Sequence, residues 1–379
     1  MTNDFDLPRM GGITRRTLLK ASVLFGGSTM FLRYLPGCQS IEGSLHEVVD
    51  MEDRKVILRE QIDRVYCSNA TGTTNIYFLA PELLIGWNYV PLGEERIFLP
   101  DRHLMKKALG SWREFEEEPD IKEIVSENPD VIFCYDVDDD ASAKADAIQN
   151  ETGIPAFALN GDINMSAEAY HVVGRLLGEE ERAGRLAEFV SEKLGYIKEM
   201  TKAIPATEGK RVYFAQGEEG LLTKCFDPPL VSCLEIARMT NVSQDWEGET
   251  CSIRQVEEWN PDCILANEYC MSDEVTSKIH QTILTDPAWQ AVPCVKQGKV
   301  YRMPRMPFAW FGLPSSVLNL LGMMLVLKIL YPEYMQQLDV VSEARVFYSL
   351  FFDNFFMESD IVDVLSTVGV DVDDLRSSI

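Results

Sequence analysis

Histidine is scarce in this 379-residue chain. The four present, His46, His103, His171 and His280, lie far apart and share no helix face. A direct multi-histidine metal centre is therefore not expected, which favours a metal that arrives already chelated. Positive charge is also short, with 35 Lys and Arg against 60 Asp and Glu and a formal net charge of −25. Nucleic-acid binding needs a positive field to replace phosphate counterions, so the balance argues against it. No stretch of about 18 uninterrupted apolar residues occurs, which argues against a multi-spanning helical membrane protein.

Several chemical signatures are missing as well. Nine cysteines contain no CxxC pair, so neither zinc-ribbon nor dithiol spacing is present. Cys67, Cys134 and Cys263 fall inside apolar, strand-like runs and are expected to be buried thiols. The turn Gly217–Gly220 lacks the Lys-Ser/Thr of a phosphate loop, and no G-x-S-x-G elbow occurs. The acidic group Asp136, Asp138, Asp139 and Asp140 has Ala141 and Ala147 where an EF-hand needs Gly and Glu. Asp140 is expected to cap the helix that follows, with the other three solvated. No nucleophile–base or metal constellation can be assembled, so the chain is not expected to be an enzyme.

What is present is organised around Gly178–Pro205. Ala183, Leu186, Ala187, Val190, Leu194 and Ile197 repeat at the spacing of one helix face. Glu179–Glu181 suit the positive end of that helix, Lys198 and Lys202 suit its other end, and Pro205 stops it. The segments on either side each alternate strands with helices, which implies parallel sheets. Before the helix, strands are expected at Arg64–Ser68, Leu83–Asn88, Val131–Asp136 and Ile154–Leu159, with 94–120 irregular. After it, strands are expected at Arg211–Gln216, Cys263–Glu268 and Lys299–Met303, then an apolar helix over Ser315–Leu330. NPDVIFCYD and NPDCILANE, each after a short helix, suggest two similar lobes. The fold expected is α/β: two Rossmann-like lobes with parallel central sheets, joined by one long helix, with a ligand cleft between them.

The N-terminus carries a targeting pattern. Thr14-Arg15-Arg16-Thr17-Leu18-Leu19-Lys20 matches the twin-arginine export signature, and Leu35-Pro36-Gly37-Cys38 looks like a lipobox with Cys38 as the lipidated residue. The expected organisation is a signal peptide over 1–37, a linker over 38–60 and an N-terminal lobe over 61–165. Connecting helices follow over 166–205, a C-terminal lobe over 206–330 and a helical extension over 331–379.

Five pieces in order carry a family resemblance: Gly220-Leu221-Leu222-Thr223, Trp259-Asn260-Pro261-Asp262, Asp286-Pro287-Ala288-Trp289-Gln290, Gly298-Lys299-Val300-Tyr301 and Pro307-Phe308-Ala309-Trp310-Phe311. The run from Pro314 to Pro332 continues them. Together with the two-lobed pattern they resemble the ABC-importer solute-binding proteins for iron–siderophores, haem and vitamin B12. The resemblance implies an extracytoplasmic, lipid-anchored monomer without an intrinsic cofactor, exported by the twin-arginine route. It would capture an iron or other metal chelate and deliver it to an ABC permease and its ATPase. Carried over by position, the N-lobe ligand wall is Asn69, Thr71, Trp87, Asn88 and Tyr135. The C-lobe wall is Gln216, Leu222, Asn267, Glu268, Arg305, Phe308, Trp310 and Phe311. Family members dock on the permease through a glutamate in each lobe, but Lys122 and Arg254 hold those positions here. Docking is therefore expected through the neighbouring acids Asp120, Glu123, Glu257 and Glu258. The alternatives are a ligand-sensing lipoprotein without a permease and a secreted chelatase-like metal-insertion enzyme.

Overall fold

The first described element lies where a linker is expected. In the computed structural model, which describes residues 44–378 apart from 92–95, 97, 114–116, 138–139, 218, 224–227, 268–277, 313 and 353–355, β1 (Leu45–Val49) and β2 (Lys55–Arg59) form an antiparallel hairpin. Asp50 makes its turn: Oδ1 accepts from the backbone N–H of Glu52 and Arg54. Arg54 docks the ribbon by pairing with Asp50 and Asp146 and donating to the carbonyl of Ala156. The hairpin was hidden in the sequence because nearly all of β1 is exposed, so it shows no alternation of apolar and polar residues.

The N-terminal half then runs β3 (Val65–Cys67), α1 (Ala70–Leu79), β4 (Gly86–Trp87), α2 (Asp101–Leu104), β5 (Lys107–Ala108), α3 (Ile121–Glu127), β6 (Val131–Asp136), α4 (Ala141–Thr152) and β7 (Ala156–Asn160). Strands β3, β6 and β7 form a parallel sheet in the order β3-β6-β7, and β4 pairs β5. Asp140 stands at the N-terminus of α4, but its side chain makes no cap. It pairs instead with Lys144, which also holds Asp136. Asp138 and Asp139 lie outside the described residues.

Helices α5 (Ser166–Leu177) and α6 (Glu180–Thr201) join the halves. The long helix is continuous over 22 residues. A Cβ at its two glycines, Gly184 and Gly195, would meet nothing within 4 Å, so both face open space. Its buried residues include all six of the expected stripe, with Phe189 added. A Cβ on Gly174 of α5 would come within 2.3 Å of the Ala183 methyl, so only glycine allows α5 and α6 to pack this closely.

The second half repeats the pattern: β8 (Lys210–Ala215), α7 (Pro228–Ile236), β9 (Met239–Asn241), α8 (Ile253–Trp259), β10 (Cys263–Ala266), α9 (Ile279–Thr285), α10 (Pro293–Lys296) and β11 (Val300–Arg302). Its parallel sheet has the order β11-β10-β8-β9. The repeated Asn-Pro-Asp has one structural job in both halves. Asn128 and Asn260 end α3 and α8 in the left-handed conformation. Two residues on, an aspartate caps the neighbouring strand: Asp130 accepts from the N–H groups of Asp63 and Arg64, and Asp262 from that of Arg211.

The chain closes with α11 (Asn319–Leu330), α12 (Val340–Phe351) and α13 (Glu358–Ser366). Cys67, Cys134 and Cys263 are buried free thiols, as expected. Among the described residues no helix is long and apolar enough to cross a membrane.

Candidate functional site

In parallel α/β sheets the loops at the carboxyl ends of the strands form the ligand crevice. On the N-terminal side, β3 feeds directly into α1. Asn69 caps the helix by accepting from the Gly72 N–H at 2.9 Å, and its Nδ2 donates to the Tyr135 carbonyl at 2.8 Å. One amide thus ties the start of α1 to the end of β6. Thr71 follows in the first turn, which contains no acidic residue. The loop after β5 lies across this turn: the N–H of Trp112 and the hydroxyl of Ser111 both donate to the Ser68 carbonyl, at 2.9 and 3.1 Å. That seating brings the half-buried Arg113 over the helix, where Nη1 donates to the Thr71 hydroxyl at 3.1 Å. The first turn of a helix and a guanidinium each favour an anion in front of them. Arg113 was missed from sequence because it lies in a stretch without periodicity or motif.

Asn69, Thr71 and Tyr135 are therefore gathered at the strand ends. Two other expected wall residues are not. Trp87 is buried, with its Nε1 donating to the His103 carbonyl and its ring 5.6 Å from that of Tyr77. Asn88 is buried too. Its Nδ2 donates to the carbonyls of Cys67 and Gly110, and its Oδ1 accepts from the Thr73 hydroxyl. These contacts engage its amide in holding β3, α1 and the loop at 110 together.

On the C-terminal side, Gln216 follows β8 and bridges Leu222, which also bridges Thr250. Asn267 follows β10, and its N–H donates to the Ala215 carbonyl at 2.9 Å. Its side chain is fully buried, and neither amide atom has a partner among the described residues. Gly312 packs against it at φ +132°, and a Cβ there would fall 1.9 Å from Asn267 Nδ2. Arg305, half-buried, lies in the loop after β11; Glu268 lies outside the described residues.

The aromatic part of the expected wall is corrected. Phe308 is 1% exposed, and Trp310 and Phe311 are fully buried. Phe308 packs into Tyr77 and Phe78 of α1, with ring centroids at 5.5 and 5.9 Å. Trp310 Nε1 donates to the Tyr348 hydroxyl at 2.7 Å, and Phe311 lies against Phe214. Phe308 is covered by α1, Trp310 by α12, and Phe311 by β8 and α11.

The four acids expected at the docking surface are placed on α3 and α8. Asp120 caps α3 by accepting from the Glu123 N–H, and Glu123 pairs with Lys107. Glu257 is exposed, and Glu258 pairs with Arg254 at 3.1 Å. Lys122 is exposed as well. Cys38 lies outside the described residues. Among those described, no group of three or more His, Cys, Asp or Glu is gathered to hold a metal ion.

Residues 156–307 match the family described as periplasmic binding protein. A 101-residue stretch is 33% identical to the molybdate-binding protein MolA of Haemophilus influenzae; it spans 27% of this chain and about a quarter of that relative's length. An ABC transporter solute binding protein from Sulfurospirillum deleyianum has a similar structure, with TM-score 0.74 and 25% identity, covering 84% of this chain and 99% of that one. Molybdate-bound MolA superposes with TM-score 0.63 at 19% identity, over 82% of this chain and 99% of the other, a likeness of fold. These are solute-binding proteins rather than enzymes. The family match thus runs from β7 to the loop after β11, and the likeness in architecture to an ABC transporter solute binding protein extends over most of the chain.

Proposed function

We propose that this protein captures a compact metal oxyanion, of the molybdate type, outside the cytoplasm and passes it to an ABC permease driven by an ATPase. The observation that carries this reading is the character of the strand-end residues. Thr71, Arg113 and the first turn of α1 offer donors and positive charge, and the Asn267 amide has no partner among the described residues. The aromatic side chains that would face a haem or a catecholate are packed in the core. Arg305, Gln216, Leu222, Asn69, Tyr135 and Glu268 complete the proposed wall. A small anion needs placed donors and no ring stack, whereas a ferric siderophore or corrinoid needs a broad apolar or aromatic face.

Twin-arginine export and lipidation of Cys38 belong to the same reading. They would hold the protein at the outer face of the membrane, as a monomer beside its permease. Calorimetric titration of the purified protein with molybdate, tungstate, sulfate and a ferric catecholate siderophore tests the ligand class. The expected result is heat with the metal oxyanions. Binding of the siderophore with silence from every oxyanion would sink the proposal and return the metal-chelate reading.

A further inference from the structure

Away from the strand ends, a cavity of about 280 Å³ opens where α1, α2, α6 and α12 meet. Its walls include the rings of Tyr77, Phe98, Phe351 and Phe352. His103 also lines it, 1% exposed, and its Nδ1 has no partner among the described residues. The other ring nitrogen, Nε2, faces Glu82 Oε1 at 3.5 Å. That carboxylate favours the tautomer with hydrogen on Nε2, which leaves Nδ1 a buried acceptor with nothing to accept. An unsatisfied buried polar atom is costly, and because His103 belongs to the wall of the open volume, a ligand donor that reaches Nδ1 would remove that cost.

The charges around the cavity are already balanced. Arg102 pairs with Glu82 at 2.7 Å. Arg182 donates to the carbonyls of Phe78 and Phe351, near the negative ends of α1 and α12. A charged ligand therefore gains little here. A cavity of about 150 Å³ with apolar walls holds benzene, so this one has room for a single ring with a small substituent.

We infer that this cavity is a second binding site, separate from the strand-end cleft, for a small neutral aromatic molecule carrying one hydrogen-bond donor, the phenol class, which donates to His103 Nδ1. The ring lies among the four aromatic walls and the donor fills the vacant acceptor. The site does not depend on the oxyanion reading, since it shares no residue with the cleft wall.

The test uses 4-fluorophenol, 4-fluoroaniline and 4-fluoroanisole, followed by fluorine NMR on the full protein. The two donors are expected to bind at least about tenfold more tightly than the anisole, which has the same ring but no donor. His103 is fixed in the fold by backbone bonds, its N–H to Pro100 and its carbonyl from Trp87 Nε1, so its side chain can be changed. His103→Leu should erase the difference between phenol and anisole, and His103→Gln, which keeps an acceptor, should retain much of it. If none of the three probes binds wild type, if all three bind equally, or if the discrimination survives in His103→Leu, the inference is overturned. The wild-type probe series decides even if a variant fails to fold.

Discussion

The guanidinium of Arg113 donates to the hydroxyl of Thr71 at 3.1 Å, which places a fixed positive charge over the first turn of α1. Both partners come from segments with no sequence motif, and their meeting is produced by the Ser68 carbonyl, which anchors the loop. Arg113→Gln should weaken oxyanion binding by roughly 10- to 100-fold, the worth of a hydrogen bond to a charged group. Thermal stability should change little, because the side chain is half exposed. Titration of the variant beside wild type checks both parts, and undiminished affinity would remove Arg113 from the site.

Asn267 presents a conflict between stability and binding. Its two buried amide atoms lack partners among the described residues, and an unpartnered buried atom costs about 1–3 kcal/mol. Asn267→Leu, close to it in shape, should leave the free protein as stable or more stable in urea unfolding while reducing ligand affinity at least about tenfold. Loss of stability with intact binding would show a structural role alone.

Gly312→Ala tests the same contact from the other side. The added methyl would collide with the Asn267 amide, and φ of +132° strains any L side chain. A loss of about 2–4 kcal/mol is expected in urea unfolding. Combining it with Asn267→Ala should recover part of that loss, which the double-mutant cycle measures.

The docking surface is tested by charge. Asp120→Lys with Glu257→Lys should abolish uptake by whole cells while leaving ligand affinity of the purified protein unchanged. Transport that survives this pair would point to the exposed Lys122 and Arg254 as the contact charges.

Burial lowers the His103 imidazole to about 4 from its ordinary 6.5; the nearby Glu82 charge opposes this, and Lys106 and Arg102 add to it. The unfolded chain therefore takes up the proton first as pH falls. The contribution of the neutral ring is complete above about 6.5 and is lost progressively as pH falls from there to about 4. The stability difference between wild type and His103→Gln should change across that window, and an unchanging difference would refute it.

Much of the frame could be read in the sequence because it rests on local rules. The α6 stripe obeys helix periodicity, and the two Asn-Pro-Asp turns follow short helices at the same offset. The burial of Phe308 and Trp310 could not be read from sequence because nothing in their own neighbourhood says that Phe352 and Tyr348 will pack on them. Arg113 escaped because its position depends on a loop seated by backbone bonds, which leave no side-chain pattern. Trp87 and Asn88 were placed correctly in the chain, next to the right strand, but a strand end has two sides and only packing decides which one faces solvent.

The aromatic residues of α12 touch three parts of the molecule at once. Phe347 and Phe351 stack on each other at 4.1 Å and lie against Phe78 of α1 and Phe189 of α6, while Phe352 stacks with Phe308 from beyond β11. The last segment of the chain thereby makes one continuous core out of two sheets. Packing in both halves therefore depends on the same few rings, and loosening α12 should loosen the two halves together.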